Sequence, residues 1–270
     1  MVALIFMLAV IFLTDSQKIS AYLTRIGFPG TPSLTPETLH QLQRLHLQTV
    51  PYENLDIMRG VPLSLEAGAL FEKIVTRRRG GYCFELNGLF AWLLRAIGFQ
   101  VTEHLARFLR DAEGSEIPMR RHRVLRVLCK NGREYLCDVG VGGIIPRKPL
   151  EIYGAPLVSE QGSERYKLAQ EPFFGYVLHE WRHEKWQRLY SFTDEEQLGV
   201  DFAAPSFYCE THPDSGFKKT DMAHIFTRNG RTSLEGREFR VYDHNGVRII
   251  RPANDRAYCE LLKAHFGIAL

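Results

Sequence analysis

The chain has 270 residues, 45% hydrophobic and 24% charged, the ordinary balance of a soluble globular protein with room for more than one core. Its formal net charge of +3, from 34 basic and 31 acidic residues, is too small a surplus to argue for nucleic acid, although a local anion such as a phosphorylated cofactor is compatible with it. Five cysteines, at positions 83, 129, 137, 209 and 259, are odd in number and form no Cys-x-x-Cys pair, which fits a reducing compartment better than a disulfide framework or a zinc site.

Met1 to Leu13 is an unbroken apolar run. It is shorter than the roughly 20 residues a membrane span needs, and it lacks the basic flank and small-residue cleavage pattern of a signal peptide. It reads as an extension that docks amphipathically or stays loosely ordered; a weak targeting or membrane-surface segment and a misplaced start codon are the alternatives. Ile19, Tyr22, Leu23 and Ile26 then form a helical stripe that Gly27 and Pro29 stop. Thr35-Pro36-Glu37 predicts an N-cap, a proline at the first helical position and an acid in the first turn of a second helix, which buries Leu39, Leu42 and Leu45 and ends near Pro51. Pro51 to Asp56 reads as a loop, and a third helix is predicted from about Leu65 to Arg77. Next, Gly80-Gly81 frees the backbone for a tight turn, and Phe84, Leu86, Leu89, Phe90, Leu93, Leu94 and Ile97 recur at helical spacing up to Gly98. Cys83 therefore starts a helix.

After Gly98 the period changes to two. Strands are predicted over Val101 to Leu109, Arg123 to Lys130, Arg133 to Val139, Arg165 to Leu168, Tyr176 to Trp181 and Trp186 to Phe192, with Asn131-Gly132 as a hairpin turn. They make an antiparallel sheet or barrel. From about Ala203 the pattern is mixed: a polar loop around His212 to Lys219, strands broken at Asn229-Gly230 and Asn245-Gly246, and a closing helix from Pro252 to Phe266. No internal repeat is visible.

At a helix start, unpaired N–H groups and the positive end of the macrodipole favour a thiolate over a thiol that, with a pKa of roughly 8.5, is otherwise only a few per cent ionised at pH 7. Such a nucleophile calls for a base and an orienting acid. Among ten histidines, His122 enters the strand on which the Asn131-Gly132 turn folds back, and the returning strand carries Asp138 in an otherwise apolar stretch. A two-residue turn would set Asp138 opposite Leu125, on the face away from His122. A three-residue loop, Lys130-Asn131-Gly132 with Gly132 left-handed, pairs Cys129 with Arg133, sets Asp138 opposite Val124 and brings its side chain within diagonal reach of His122. A bulged hairpin is therefore expected. Taken singly, Cys83 could be a small buried apolar residue, His122 a sheet histidine and Asp138 a turn residue; together they make a candidate catalytic set. Cys129, Cys137, Cys209 and Cys259 read as structural. His179 and His183 lie in strand-like sequence, where a four-residue spacing makes no helical ligand pair, so no metal is expected.

The stretch Arg79-Gly80-Gly81-Tyr82-Cys83-Phe84-Glu85, preceded by Val50-Pro51-Tyr52-Glu53-Asn54-Leu55-Asp56 and followed by His122 and Asp138-Val139-Gly140-Val141-Gly142, closely resembles the arylamine N-acetyltransferases. The loop His212-Pro213-Asp214-Ser215-Gly216-Phe217 is similar to one in that family's third domain, and the likeness runs from about Thr14 to the C-terminus. The resemblance implies an α+β fold with a thiol-protease-like (transglutaminase-like) core: an N-terminal helical bundle over residues 1–98 carrying Cys83, an antiparallel β-barrel over 99–203 carrying His122 and Asp138, and a C-terminal α/β lid over 204–270. It implies acetyl transfer from acetyl-CoA, a co-substrate with no permanently bound cofactor beside it, to an aromatic amine or hydrazine in the cytoplasm. It also implies roles for other residues: Tyr52, Phe108 and Val141 at the acceptor pocket, Glu53 and Arg79 as a supporting ion pair, and Tyr208, Asp214, Ser215 and Phe217 near CoA, with Gly140 and Gly142 leaving room for it. Val141 replaces an aromatic often found there, and Gly216 loosens the third-domain loop. Arg120, Arg121, Arg123 and Arg126 read as a solvated strand face rather than a phosphate site. The alternatives are a thiol hydrolase or transglutaminase-like enzyme with the same three residues, and a non-catalytic binding module.

Overall fold

The structure, a computed structural model, describes residues 13–110, 117–143, 145–153, 158–161 and 164–270. The apolar N-terminal run, except Leu13, lies outside the described residues. Helix α1 (Asp15–Ile26) starts earlier than its apolar stripe suggests, because Thr14 caps it: the Thr14 hydroxyl accepts from Gln17 N–H at 3.4 Å and the Gln17 side chain accepts from Thr14 N–H at 2.8 Å. Helix α2 (Pro36–Thr49) begins at Pro36 under a Thr35 cap, as predicted. Pro51 to Asp56 is not a plain loop. Tyr52–Glu53 forms strand β1 and Leu55–Met58 the one-turn helix α3, because the partners of β1, His224 and Ala223, come from the far end of the chain and leave no local pattern. Helix α4 (Ala67–Phe71) widens into a π turn over Glu72–Thr76, closed by Arg77 N–H on the Glu72 carbonyl at 2.9 Å. Helix α5 (Cys83–Ile97) ends at Gly98, whose φ of 113° is open to glycine. Its apolar residues Phe84, Leu86, Leu89, Phe90, Leu93 and Leu94 are all fully buried, so α5 is the central helix of the first core.

Eight strands follow: β2 (Gln100–Phe108), β3 (His122–Leu128), β4 (Glu134–Cys137), β5 (Leu150–Glu151), β6 (Val158–Gln161), β7 (Glu164–Glu171), β8 (Gly175–Arg182) and β9 (Lys185–Phe192). They make one antiparallel sheet in the order β5-β4-β3-β2-β9-β8-β7-β6, curled into a nearly closed barrel. The short β5 and β6 escaped the sequence reading. Helix α6 (Ala203–Thr211), also unexpected, leads to β10 (Met222–Thr227), β11 (Gly230–Glu235), β12 (Glu238–Asp243), β13 (Gly246–Ile250) and helix α7 (Asp255–Phe266). Both late hairpins form, each with its turn one residue earlier than the Asn-Gly pair suggested: Gly230 and Gly246 already pair with Thr227 and Asp243. A Cβ on Gly230 would lie 2.0 Å from the Tyr242 carbonyl oxygen. The second sheet runs β1-β10-β11-β12-β13, so a segment of the helical N-terminal part supplies its edge. A second core of Leu55, Leu234, Phe239, Leu262 and Phe266 lies beneath it. The architecture is α+β, as the resemblance implied.

Candidate active site

The loop before Cys83 corrects one expectation. Its left-handed residue is Arg78, with φ 55°, and neither Gly80 nor Gly81 has a positive φ. The two glycines are there for close approach: a Cβ on Gly80 would lie 2.0 Å from the Pro51 carbonyl oxygen, and one on Gly81 2.8 Å from Glu85 Oε2. The chain before α5 is thus pressed between β1 and the helix it opens.

The hairpin adopts the bulged register. Leu128 pairs with Glu134 and Leu125 with Cys137, Cys129 N–H donates to the Arg133 carbonyl at 3.0 Å, and Gly132 has φ 74°. His122, the first residue of β3, and Asp138, just past β4, share a face, and His122 Nε2 lies 2.7 Å from Asp138 Oδ2. Both are buried, at 0% and 3% exposure, so the contact is not diluted by water. Nδ1 of His122 has no partner among the described residues. Cys83 Sγ lies against the backbone on either side of His122, 3.8 Å from the Arg121 carbonyl oxygen and within hydrogen-bonding reach of Arg123 N–H. The sulfur therefore lies against the stretch of backbone that carries the His122–Asp138 pair, and the imidazole keeps one nitrogen without a partner among the described residues.

Two residues that the sequence reading missed complete the site. Asn87 Nδ2 donates to Asp138 Oδ1 at 2.9 Å and to the Arg123 carbonyl at 2.6 Å, and its oxygen accepts from Val139 N–H at 2.9 Å. Asn87 stands one helical turn after Cys83, a spacing that could have marked it. Tyr190 packs its ring 5.2 Å from the His122 ring with its hydroxyl towards Asp138, and Phe108 lies on the imidazole at 4.8 Å. Tyr190 comes from β9 and carried no local signal.

Burial pushes the Cys83 thiol well up, and the Asp138 carboxylate adds to this, while the N–H groups of Arg123 and Phe84 pull the other way. The helix start does favour the anion. Sealing the sulfur to 2% exposure works against the anion, so burial and the helix start pull the Cys83 thiol in opposite directions.

Four buried charges and the half-buried Arg79 brace the segments around α5. Arg79 grips Glu53 through two parallel bonds of 2.9 Å and reaches Asp56 at 2.9 Å; Lys73 Nζ lies 2.8 Å from Asp56 and 2.7 Å from Glu85. Glu85 Oε2 accepts from Tyr82 N–H at 3.1 Å, at the residue before Cys83.

Gly140 and Gly142 do not leave a passage. A Cβ on Gly140 would lie 2.6 Å from Cys83 Cα, and one on Gly142 2.4 Å from the Tyr52 ring, so the protein itself fills both spaces. Val141 is buried between them. Tyr52 and Gly142 border a cavity of about 350 Å³ between the barrel and the second sheet, where Arg182, His224 and Arg231 also lie. Of the third-domain residues, Phe217 packs edge-on against Tyr82 at 5.4 Å, Tyr208 stacks on His212 at 4.4 Å, and Asp214 is exposed. The buried Ser215 hydroxyl donates to the Cys209 carbonyl at 2.6 Å and so holds its own loop. The arginine cluster is not a solvated face: Arg123 is buried on Glu103 and the Phe84 carbonyl, Arg126 pairs with Glu134 and Asp194, and Arg120 with Glu195. His179 pairs with Glu171 at 3.1 Å, while His183 sits in the exposed β8–β9 turn.

A family model described as N-acetyltransferase matches residues 35–270. The arylamine N-acetyltransferase of Mycobacterium tuberculosis is 37% identical over 253 residues, 93% of this chain and 89% of that one. The chain belongs to the arylamine N-acetyltransferase family. As an arylamine N-acetyltransferase it is an acyltransferase, and its fold agrees with solved members. The Salmonella typhimurium arylamine N-acetyltransferase superposes with a TM-score of 0.88 at 31% identity, covering 95% of this chain and 92% of that one. The Mycobacterium marinum arylamine N-acetyltransferase, solved in complex with CoA, gives 0.85 at 34% identity, covering 93% and 92%.

Proposed function

We propose that the chain carries an acetyl group from acetyl-CoA to the nitrogen of an arylamine or arylhydrazine in two half reactions, through an acetyl-Cys83 intermediate. One observation carries this: a buried His122 tied through Nε2 to Asp138, its Nδ1 without a partner among the described residues, on the stretch of backbone that the sulfur of a helix-start cysteine touches. The Cys83 thiol passes its proton to Nδ1 rather than to bulk water. The sulfur attacks the thioester carbonyl, the carbon–sulfur bond to CoA breaks, and the leaving thiolate takes the proton from Nδ1. The neutral amine then attacks the acetyl-cysteine, its proton goes to Nδ1, and collapse returns the sulfur, which recovers that proton as a thiol. Asp138 holds the imidazole with its Nε2–H engaged and stabilises the charged form, and Asn87 and Gly140 N–H fix the other carboxylate oxygen. Cys83 N–H, at the first position of α5 and so without an intrahelical carbonyl, is assigned to the oxyanion.

Residues 1–98, 99–203 and 204–270 act as nucleophile-bearing bundle, base-bearing barrel and lid. The lid role is supported by contacts over the start of α5, where the Tyr82 hydroxyl bonds Ser206 Oγ at 2.5 Å and Phe217 covers Tyr82. Excluding water protects an acetyl-enzyme from hydrolysis. Tyr52, Phe108 and Val141 line the acceptor side, and Tyr208, Asp214 and Phe217 face the CoA side; CoA capture by the M. marinum relative supports the donor. The enzyme works in the cytoplasm. Mass spectrometry after mixing with acetyl-CoA is expected to show one acetyl group on Cys83, absent in Cys83→Ala, and double-reciprocal plots with an aniline to give parallel lines. Turnover of peptide amides or glutamine side chains without such an adduct would instead establish the thiol hydrolase.

A further inference from the structure

The buried charges next to Cys83 serve more than cohesion. Glu85 is 2% exposed and stands two residues after the sulfur; Oε2 receives Tyr82 N–H at 3.1 Å and Oε1 receives Lys73 Nζ at 2.7 Å. Tyr82 is the cap of α5, and any movement there moves Cys83, whose Cα already stands so close to Gly140 that a single added methyl would meet it at 2.6 Å. The π turn over Glu72–Thr76 carries Lys73 inward between Asp56 and Glu85. Beside this group lies a cavity of about 290 Å³, lined by Arg59, Arg77 and Ser64 together with Lys73, Asp56 and Glu85.

We propose that Lys73 is a positioning residue for the acetyl-transfer reaction: its ammonium keeps Glu85 a carboxylate, and that carboxylate holds the cap from which Cys83 is presented to His122. The inference rests on Cys83 being the nucleophile.

The groups facing Glu85 leave this task to Lys73. Burial drives the Glu85 carboxyl up, Lys73 is the principal charge opposing it, and Glu53 adds a like charge from β1. Arg79 is spent on Glu53 and Asp56, and Asp56 faces Lys73 from α3. Arg123, from β3, is engaged by Glu103 and the Phe84 carbonyl, Arg77 pairs with Glu72, and Arg59 lines the cavity but is not among the charges that act most on Glu85. Without the Lys73 ammonium, burial and the like charge of Glu53 drive the Glu85 carboxyl further towards its protonated form. The cap then alternates between two states with pH.

The test is the pH dependence, from 5.5 to 9, of acetyl transfer and of Cys83 alkylation by iodoacetamide, in wild type, Lys73→Met, Lys73→Arg and the double variant Lys73→Met/Glu85→Gln. Thermal melts confirm folding of each. Lys73→Met is expected to lose about tenfold in kcat/KM at pH 7 and to gain an extra ionisation, with activity recovering as the pH rises and Glu85 ionises again. Lys73→Arg is expected to lack that ionisation, and so is the double variant, whose neutral amide needs no counter-charge. A folded Lys73→Met whose profile is the wild-type curve scaled down at every pH, or an extra ionisation that persists in the double variant, overturns the proposal. Either result leaves acetylation of wild-type Cys83 untouched, so this inference and the proposed chemistry fail separately.

Discussion

His122 has one carboxylate oxygen at 2.7 Å on Nε2 and an open Nδ1, a geometry that commits one tautomer to proton transfer. Asp138→Asn preserves shape but lets the amide turn its NH₂ towards the ring and reverse the tautomer. The expected result is a fall in kcat of about 10³–10⁴-fold with little change in melting temperature, by analogy with triads in which the orienting acid was made an amide. A second prediction at this scale concerns histidines outside the site. Burial, assisted by Arg25 and Arg231 respectively, pulls His46 and His224 each down to about 3. The unfolded chain, with histidines near 6.5, accepts protons that the folded chain refuses. Stability from this source is whole above about pH 6.5 and drains as the pH falls towards 3, by about 2 kcal/mol per histidine between pH 6.5 and 5. His46→Gln, which retains a partner for the Tyr22 hydroxyl now 2.8 Å from Nδ1, should flatten the denaturation midpoint against pH by about one proton's slope.

At the scale of elements, the site depends on backbones meeting without side chains between them. Gly140 lets the chain after β4 lie on the first residue of α5, and Gly140→Ala must push the two apart. A misplacement of the order of 1 Å typically costs about 100-fold in rate, and overpacking typically costs about 1–3 kcal/mol. Both are expected, and acetyl-adduct formation should slow by a larger factor than thermal stability alone can explain. This is also where the sequence was most and least informative. The His122–Asp138 register could be argued because both residues lie on one hairpin whose turn residues are adjacent in the chain. The same reasoning failed for Tyr52 and Glu53, since a two-residue strand has no period, and for Tyr190, which reaches the imidazole from β9. Gly140 and Gly142 were legible as requirements for space but not as to what fills it, because the filling atoms belong to α5 and β1.

At the scale of the molecule, the N-terminal bundle and the second sheet are joined by a few specific bonds. Asn54, 2% exposed, donates to the Phe217 and Thr220 carbonyls at 2.8 and 2.9 Å and accepts from Met222 N–H at 2.7 Å. Asn54→Ala removes all three and strands buried backbone groups, with an expected cost of about 2–4 kcal/mol. Hydrogen exchange is expected to quicken in β10 and in the 212–221 loop before it changes in the barrel; uniform loss of protection would contradict this. The order of synthesis also matters. Strand β1 and Tyr82 leave the ribosome early, but the pairing partner of β1 and the Ser206 that bonds the Tyr82 hydroxyl are among the later residues made. The edge of the second sheet and the cap of the nucleophile's helix therefore wait for their partners until the last quarter of the chain arrives, so a truncated chain lacks both contacts.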